Sequence, residues 1–79
     1  MHQTMKEVNV QFMIEQGSGR SGTISTTVPM TEAEHDALRL DLQLREGAYL
    51  KQWIERNLFY AISPVLVNSD PWKVVSPLI

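Results

Sequence analysis

From Val8 to Gln16 apolar and polar residues alternate. Val8, Val10, Phe12 and Ile14 share one face, while Asn9, Gln11, Met13 and Glu15 share the other. A period of two built on β-branched and aromatic residues predicts a half-buried strand. The run Gly17-Ser18-Gly19-Arg20-Ser21-Gly22 then interrupts regular structure, and Ile24, Thr26 and Val28 alternate with Ser25 and Thr27 up to Pro29. Two such strands joined by a short glycine-rich segment predict a β-hairpin over 8–29. One face of that hairpin is apolar, so the remainder of the chain has to cover it.

Thr31-Glu32-Ala33-Glu34 has the form of a helix start. The threonine hydroxyl can accept from the amide three residues on, Glu34 can reach back, and the acidic first turn suits the positive end of the helix dipole. The helix is expected over 31–46, ending at Gly47. Leu38, Leu40, Leu42 and Leu44 alternate with Arg39, Asp41 and Gln43, a pattern that also fits a strand over 38–44. Helix is the preferred reading, because leucine, arginine and glutamine favour helices and no β-branched residue falls between Glu32 and Glu46. Next, Leu50, Trp53, Ile54, Asn57, Leu58, Ala61 and Ile62 recur at three- and four-residue spacings, the stripe of an amphipathic helix over 49–62 that Pro64 closes. The tail 65–79 carries two apolar patches, Val65-Leu66-Val67 and Trp72 to Val75, around the turn signal Asn68-Ser69-Asp70-Pro71. It reads as one or two short strands or an extended arm. The expectation is an α+β fold in one small domain: an N-terminal hairpin, two helices and an extended C-terminal tail.

Length changes the energetic picture. A chain of 79 residues buries only about 60–65% of the surface its unfolded form exposes, so a lone protomer is marginal. Disulfides, a metal or a partner usually compensate. There is no cysteine, and the only histidines are His2 and His35, which removes thiol chemistry and thiolate zinc sites. Oligomerisation remains, and a homodimer is the working expectation, with the apolar stripe of the second helix (Leu50, Trp53, Ile54 and Leu58) as its interface. With 43% hydrophobic residues, 20% charged and a net charge of −2, the chain is neither disordered by composition nor a grossly basic nucleic-acid binder. No apolar run approaches the roughly 18 residues of a membrane span, and no signal-peptide core opens the chain. A cytoplasmic location is therefore expected.

The order of strand, capped helix, glycine turn and amphipathic helix over about 24–62 resembles the ribbon–helix–helix family of DNA-binding regulators. The residues carrying the likeness are Thr26-Thr27-Val28-Pro29, Thr31-Glu32-Ala33-Glu34-His35, Arg45-Glu46-Gly47 and Leu50-Lys51-Gln52-Trp53-Ile54-Glu55-Arg56. The resemblance implies an intertwined dimer whose paired strands enter the major groove, whose second helices form the dimer core, and whose helix amides hold phosphate. By that analogy Ser25 and Thr27 would face base edges, with Arg20 beside the ribbon and Lys51 on the backbone. Three features depart from the family's pattern. The strand face carries no lysine or arginine; the second helix opens Ala48-Tyr49 with no capping side chain; and a preceding strand would make the dimer sheet four-stranded, where the groove admits two. Residues 31–62 also hold six acids (Glu32, Glu34, Asp36, Asp41, Glu46, Glu55) against four bases (Arg39, Arg45, Lys51, Arg56). Phosphate neutralisation needs the opposite balance, or bases gathered on one face.

Other constellations yield no enzyme. Gly17 to Gly22 matches G-x-G-x-x-G literally, but a strand follows where the dinucleotide fold needs a helix, so the segment reads as a hairpin loop. His35, Asp36 and Ser25 have no spacing that would assemble a nucleophile and base, and no ligand spacing points to a metal. No cofactor is expected. The chain is thus expected to be a non-enzymatic dimeric regulator that binds DNA. The alternative is a protein-binding inhibitor or adaptor of the kind phages and mobile elements encode, which would use the aromatic residues Tyr49, Tyr60 and Trp72 on a host protein.

Overall fold

A computed structural model describes residues 4–17 and 19–79; His2 and Ser18 lie outside the described residues. Strands β1 (Met5–Gln16) and β2 (Ser21–Thr31) form the expected hairpin, three residues longer at its N-terminal end and two at its C-terminal end. They pair in unbroken antiparallel register from Met5 opposite Thr31 to Glu15 opposite Ser21. The alternation reads out directly: Val8, Val10, Phe12, Ile14 and Gln16 are buried from β1, and Ile24, Val28 and Met30 from β2.

The tail supplies what the sequence left open. Trp72–Leu78 is a third strand, β3, antiparallel to β1, so the sheet order is β2-β1-β3. Its register slips between Gln11 and Met13, where Ser76 takes a left-handed φ of 52° and forms a bulge. The first tail patch is not a strand, since Ser63–Val65 is a 3-10 turn and Leu66 and Val67 continue as loop. Gln16 holds that loop down. Its buried side-chain amide donates to the Val67 carbonyl and accepts from the Val67 N–H, both at 3.0 Å, as a neighbouring strand would.

Helix α1 (Glu32–Arg45) starts where expected, with the Thr31 hydroxyl accepting from the Glu34 amide at 3.1 Å. It settles residues 38–44 as helix. The helical period then splits the leucines: Leu38 is buried and Leu42 half-buried, whereas Leu40 and Leu44 stand out on the other side. Glu46 (φ 55°) and Gly47 (φ 80°) turn the chain through the left-handed region. At Gly47 a β-carbon would come within 3.0 Å of Pro77 Cγ and 3.2 Å of Leu42 Cδ1, so both conformation and space call for glycine.

The expected second helix is interrupted. Helix α2 (Ala48–Asn57) ends where the Asn57 side chain donates to the Trp53 carbonyl at 2.9 Å, a local bond that competes with the helix ladder. A four-residue turn, α3 (Phe59–Ile62), follows. The apolar stripe nevertheless runs on through the break. Leu50, Ile54, Leu58 and Ile62 are almost completely buried and Trp53 nearly so, all in one cluster with Val8, Val10, Phe12 and Val74 of the sheet.

That placement corrects the interface expectation. Leu50, Trp53, Ile54 and Leu58 close the core of their own chain, because the third strand widens the sheet enough to receive the whole stripe. The protein is thus two layers, with helices on one sheet face and the other face open. Among the described residues no helix is long and apolar enough to cross a membrane.

Candidate functional site

The residues singled out for DNA do not converge. Ser25 and Thr27 lie on the open face of β2, where the Asn9 side-chain amide donates to Ser25 Oγ at 3.0 Å. Arg20 is exposed in the hairpin turn, at the end of the sheet. Lys51 sits half-buried in the first turn of α2, in the helical layer on the opposite side of the sheet. The charged side chains of the open face are Glu7, Glu15 and Lys73, and the last two pair at 3.8 Å. The strand carrying the ribbon–helix–helix likeness already pairs with β1, and α2 packs on its own sheet. One edge of β2 is thus taken by β1, so a lone two-stranded ribbon and the shared helical core that the likeness implies are not offered by these elements.

The aromatic residues of the alternative separate as well. Trp72 begins β3, half-buried, with its ring 6.0 Å from that of Phe59, so it belongs to the cover of the core. Tyr60 is exposed on α3. Tyr49 is different, because it stands beside the two outward leucines of α1. Leu40, Leu44 and Tyr49 are 53%, 70% and 52% exposed. With Ala37, Asp41 and Arg45 they line a shallow groove between α1 and α2.

Asp41 organises this groove, and the sequence reading missed it. It is one of two buried polar residues among those described, and its Oδ2 accepts from the Leu50 amide at 2.9 Å. Helix α2 has only Gly47 at its cap position and makes no capping bond of its own. The carboxylate of α1 therefore caps α2 from across the turn, placing a negative charge at the positive end of its dipole. Oδ1 is buried without a partner. The signal was present in the sequence: Asp41 falls three residues after Leu38, on the inward stripe of α1, while Ala48-Tyr49 lacks a cap.

The titratable groups near the start of α1 form a separate cluster. Lys6 Nζ lies 2.9 Å from Glu32 Oε2 and holds that carboxyl below its ordinary range. Burial, then the charges of Lys6 and Arg39, push the His35 imidazole down, and its Nδ1 has no partner. A depressed carboxyl stabilises the fold above its unfolded pKa and loses that contribution as pH falls through its folded value. A depressed imidazole is protonated later in the folded chain than in the unfolded one, so stability falls as pH drops below the ordinary histidine value of about 6.5. Removing the ammonium with Lys6→Gln is expected to raise both pKa values, as followed by NMR titration. A histidine or glutamate resonance that fails to move would contradict this arrangement.

No group of histidines and carboxylates able to hold a metal occurs among the described residues. Comparison with known proteins assigns no family, since no family model, curated protein or solved structure matches the chain.

Proposed function

We propose that this chain is a non-enzymatic protein-binding module that docks a partner's helix in the groove between α1 and α2. The observation carrying this reading is the outward pair Leu40 and Leu44 beside Tyr49. Leucines four residues apart make a ridge along a helix, and a partner helix presenting its own apolar stripe is the complementary shape. A surface helix gains nothing by exposing two leucines and a tyrosine to water, and such patches mark interaction sites. A DNA role draws less support, because the net charge is −2 and Ser25, Thr27 and Lys51 are divided between the two sides of the sheet.

The test compares wild type with Leu40→Glu/Leu44→Glu, two changes at exposed sites that should leave the circular dichroism spectrum unaltered. A photo-crosslinking residue at position 44 should join a host protein, whereas one at position 27 should not, and affinity for the identified partner should fall at least ~10-fold in the double variant, the equivalent of ~1.4 kcal/mol. Salt-sensitive retention on duplex DNA, with the groove variant still capturing its partner, would return the assignment to the DNA reading.

A further inference from the structure

The two outer edges of the sheet are built differently. The β3 edge carries the devices that keep a strand from pairing with strangers: it is seven residues long, has a bulge at Ser76, is flanked by Pro71, contains Pro77 and bears Lys73. The β2 edge carries almost none of them. From Ser21 to Thr31 it runs eleven residues without a bulge or a charged side chain, and Pro29 near its end is the one guard. At about 3.3 Å per residue that is roughly 36 Å of strand.

The hairpin geometry shows which backbone groups face outward. The Gln16 amide donates to the Arg20 carbonyl at 2.9 Å, so even-numbered residues of β2 bond to β1 and odd-numbered ones face the free edge. Pro29 obeys this parity; having no N–H, it stands where none is needed. The N–H and C=O groups of Thr23, Ser25 and Thr27 thus point away from β1, with no backbone partner among the described residues.

We infer that the β2 edge pairs with the β2 edge of a second copy, joining two sheets into one of six strands. A two-fold axis at Thr26 sets Ile24 opposite Val28 of the second copy, and Ser25 opposite Thr27. Both apolar residues already lie at the rim of the core, so pairing extends that core across the junction, while hydroxyls face hydroxyls on the open side. Self-pairing demands that every side chain tolerate its own mate, and an uncharged strand meets that demand because no like charges face each other. Pro29, opposite Thr23 of the second copy, can accept there but not donate. The inference is independent of the groove on α1, which lies on another element.

Light scattering and amide hydrogen exchange test it. Wild type is expected at twice the protomer mass at micromolar concentration, with the Thr23, Ser25 and Thr27 amides protected. Ser25→Pro removes an outward donor without breaking a backbone bond to β1, at the cost of the exposed Asn9–Ser25 side-chain bond, and Ser25→Lys/Thr27→Lys sets like charges across the axis on solvent-facing positions. Both are expected to give folded monomers, checked by circular dichroism. Should the proline variant fail to fold, the lysine pair and the wild-type exchange pattern decide. A wild-type monomer, fast exchange at those amides, or a dimer that survives the lysine pair would each overturn the inference.

Discussion

Asp41→Ala is expected to destabilise the protein by about 2 kcal/mol, because its buried carboxylate caps a helix other than its own. The substitution leaves the buried Leu50 N–H without its acceptor, and a lost hydrogen bond to a charged group costs about 1.5–3 kcal/mol. It also removes the negative charge from the amino end of α2. One effect runs the other way: Oδ1 is buried without a donor, so removing the carboxylate relieves part of its desolvation cost. The balance lies near the middle of the range, and for a domain of this size about 2 kcal/mol lowers the melting temperature by roughly 8–16 °C. Asp41→Asn keeps an acceptor without the charge and should lose about half as much. An alanine variant melting within about 2 °C of wild type would mean that α2 needs no cap from α1. The exchange rate of the Leu50 amide reports the same bond locally and should rise in step.

That carboxylate also links fold to function. By tying the first turn of α2 to the middle of α1 it sets the angle between the helices, and that angle brings Tyr49 beside Leu44. Loosening it should therefore weaken partner capture by more than the loss of folded protein accounts for. Asp41→Ala and Leu40→Glu/Leu44→Glu then separate cleanly, since the first lowers stability and binding together and the second lowers binding alone.

How much of this was legible in the sequence depends on how local each signal was. The alternation of Val8 to Ile14 and the Thr31 cap are decided by residues within one turn or one pleat, and both stand as read. The leucines at 38–44 left two local readings open, and the helix preferred on residue propensity is the one that forms. Their alternation is a strand pattern, and a helix accepts it only by sending Leu38 and Leu42 inward and Leu40 and Leu44 outward. The strand-like pattern was therefore the trace of a helix with two apolar sides, one for the core and one for the groove. The break after Asn57 depends on a single side chain choosing a backbone carbonyl over water, which periodicity does not register. The tail was open to reading as a strand, but the pairing of β3 with β1 was hidden because it is a long-range matter, and Pro77, the flanking Pro71 and the bulge mask the strand's alternation. Missing that pairing led directly to the misplaced dimer interface: a two-stranded sheet leaves the stripe of α2 uncovered, and a three-stranded one does not.

Ile54→Ala examines that correction with the other large expected effect. Ile54 is completely buried among sheet and helix side chains of its own chain. Truncating such a residue costs about 2–5 kcal/mol through lost transfer energy and the cavity left behind. Total stability for a chain of this length is of the order of 4–12 kcal/mol, so the variant should lose a large share of it and melt well below wild type. Its dependence on association is what discriminates. If the stripe of α2 were shared with a sister molecule, the penalty would appear only where the dimer forms. As part of a core within one protomer, it should keep the same size in the monomeric Ser25→Pro background and at every protein concentration, measured by urea unfolding. A penalty below about 1 kcal/mol in that background would return Ile54, and with it Leu50, Trp53 and Leu58, to an interface between chains. The full penalty there assigns the helices to the core and leaves self-association to the edge of the sheet.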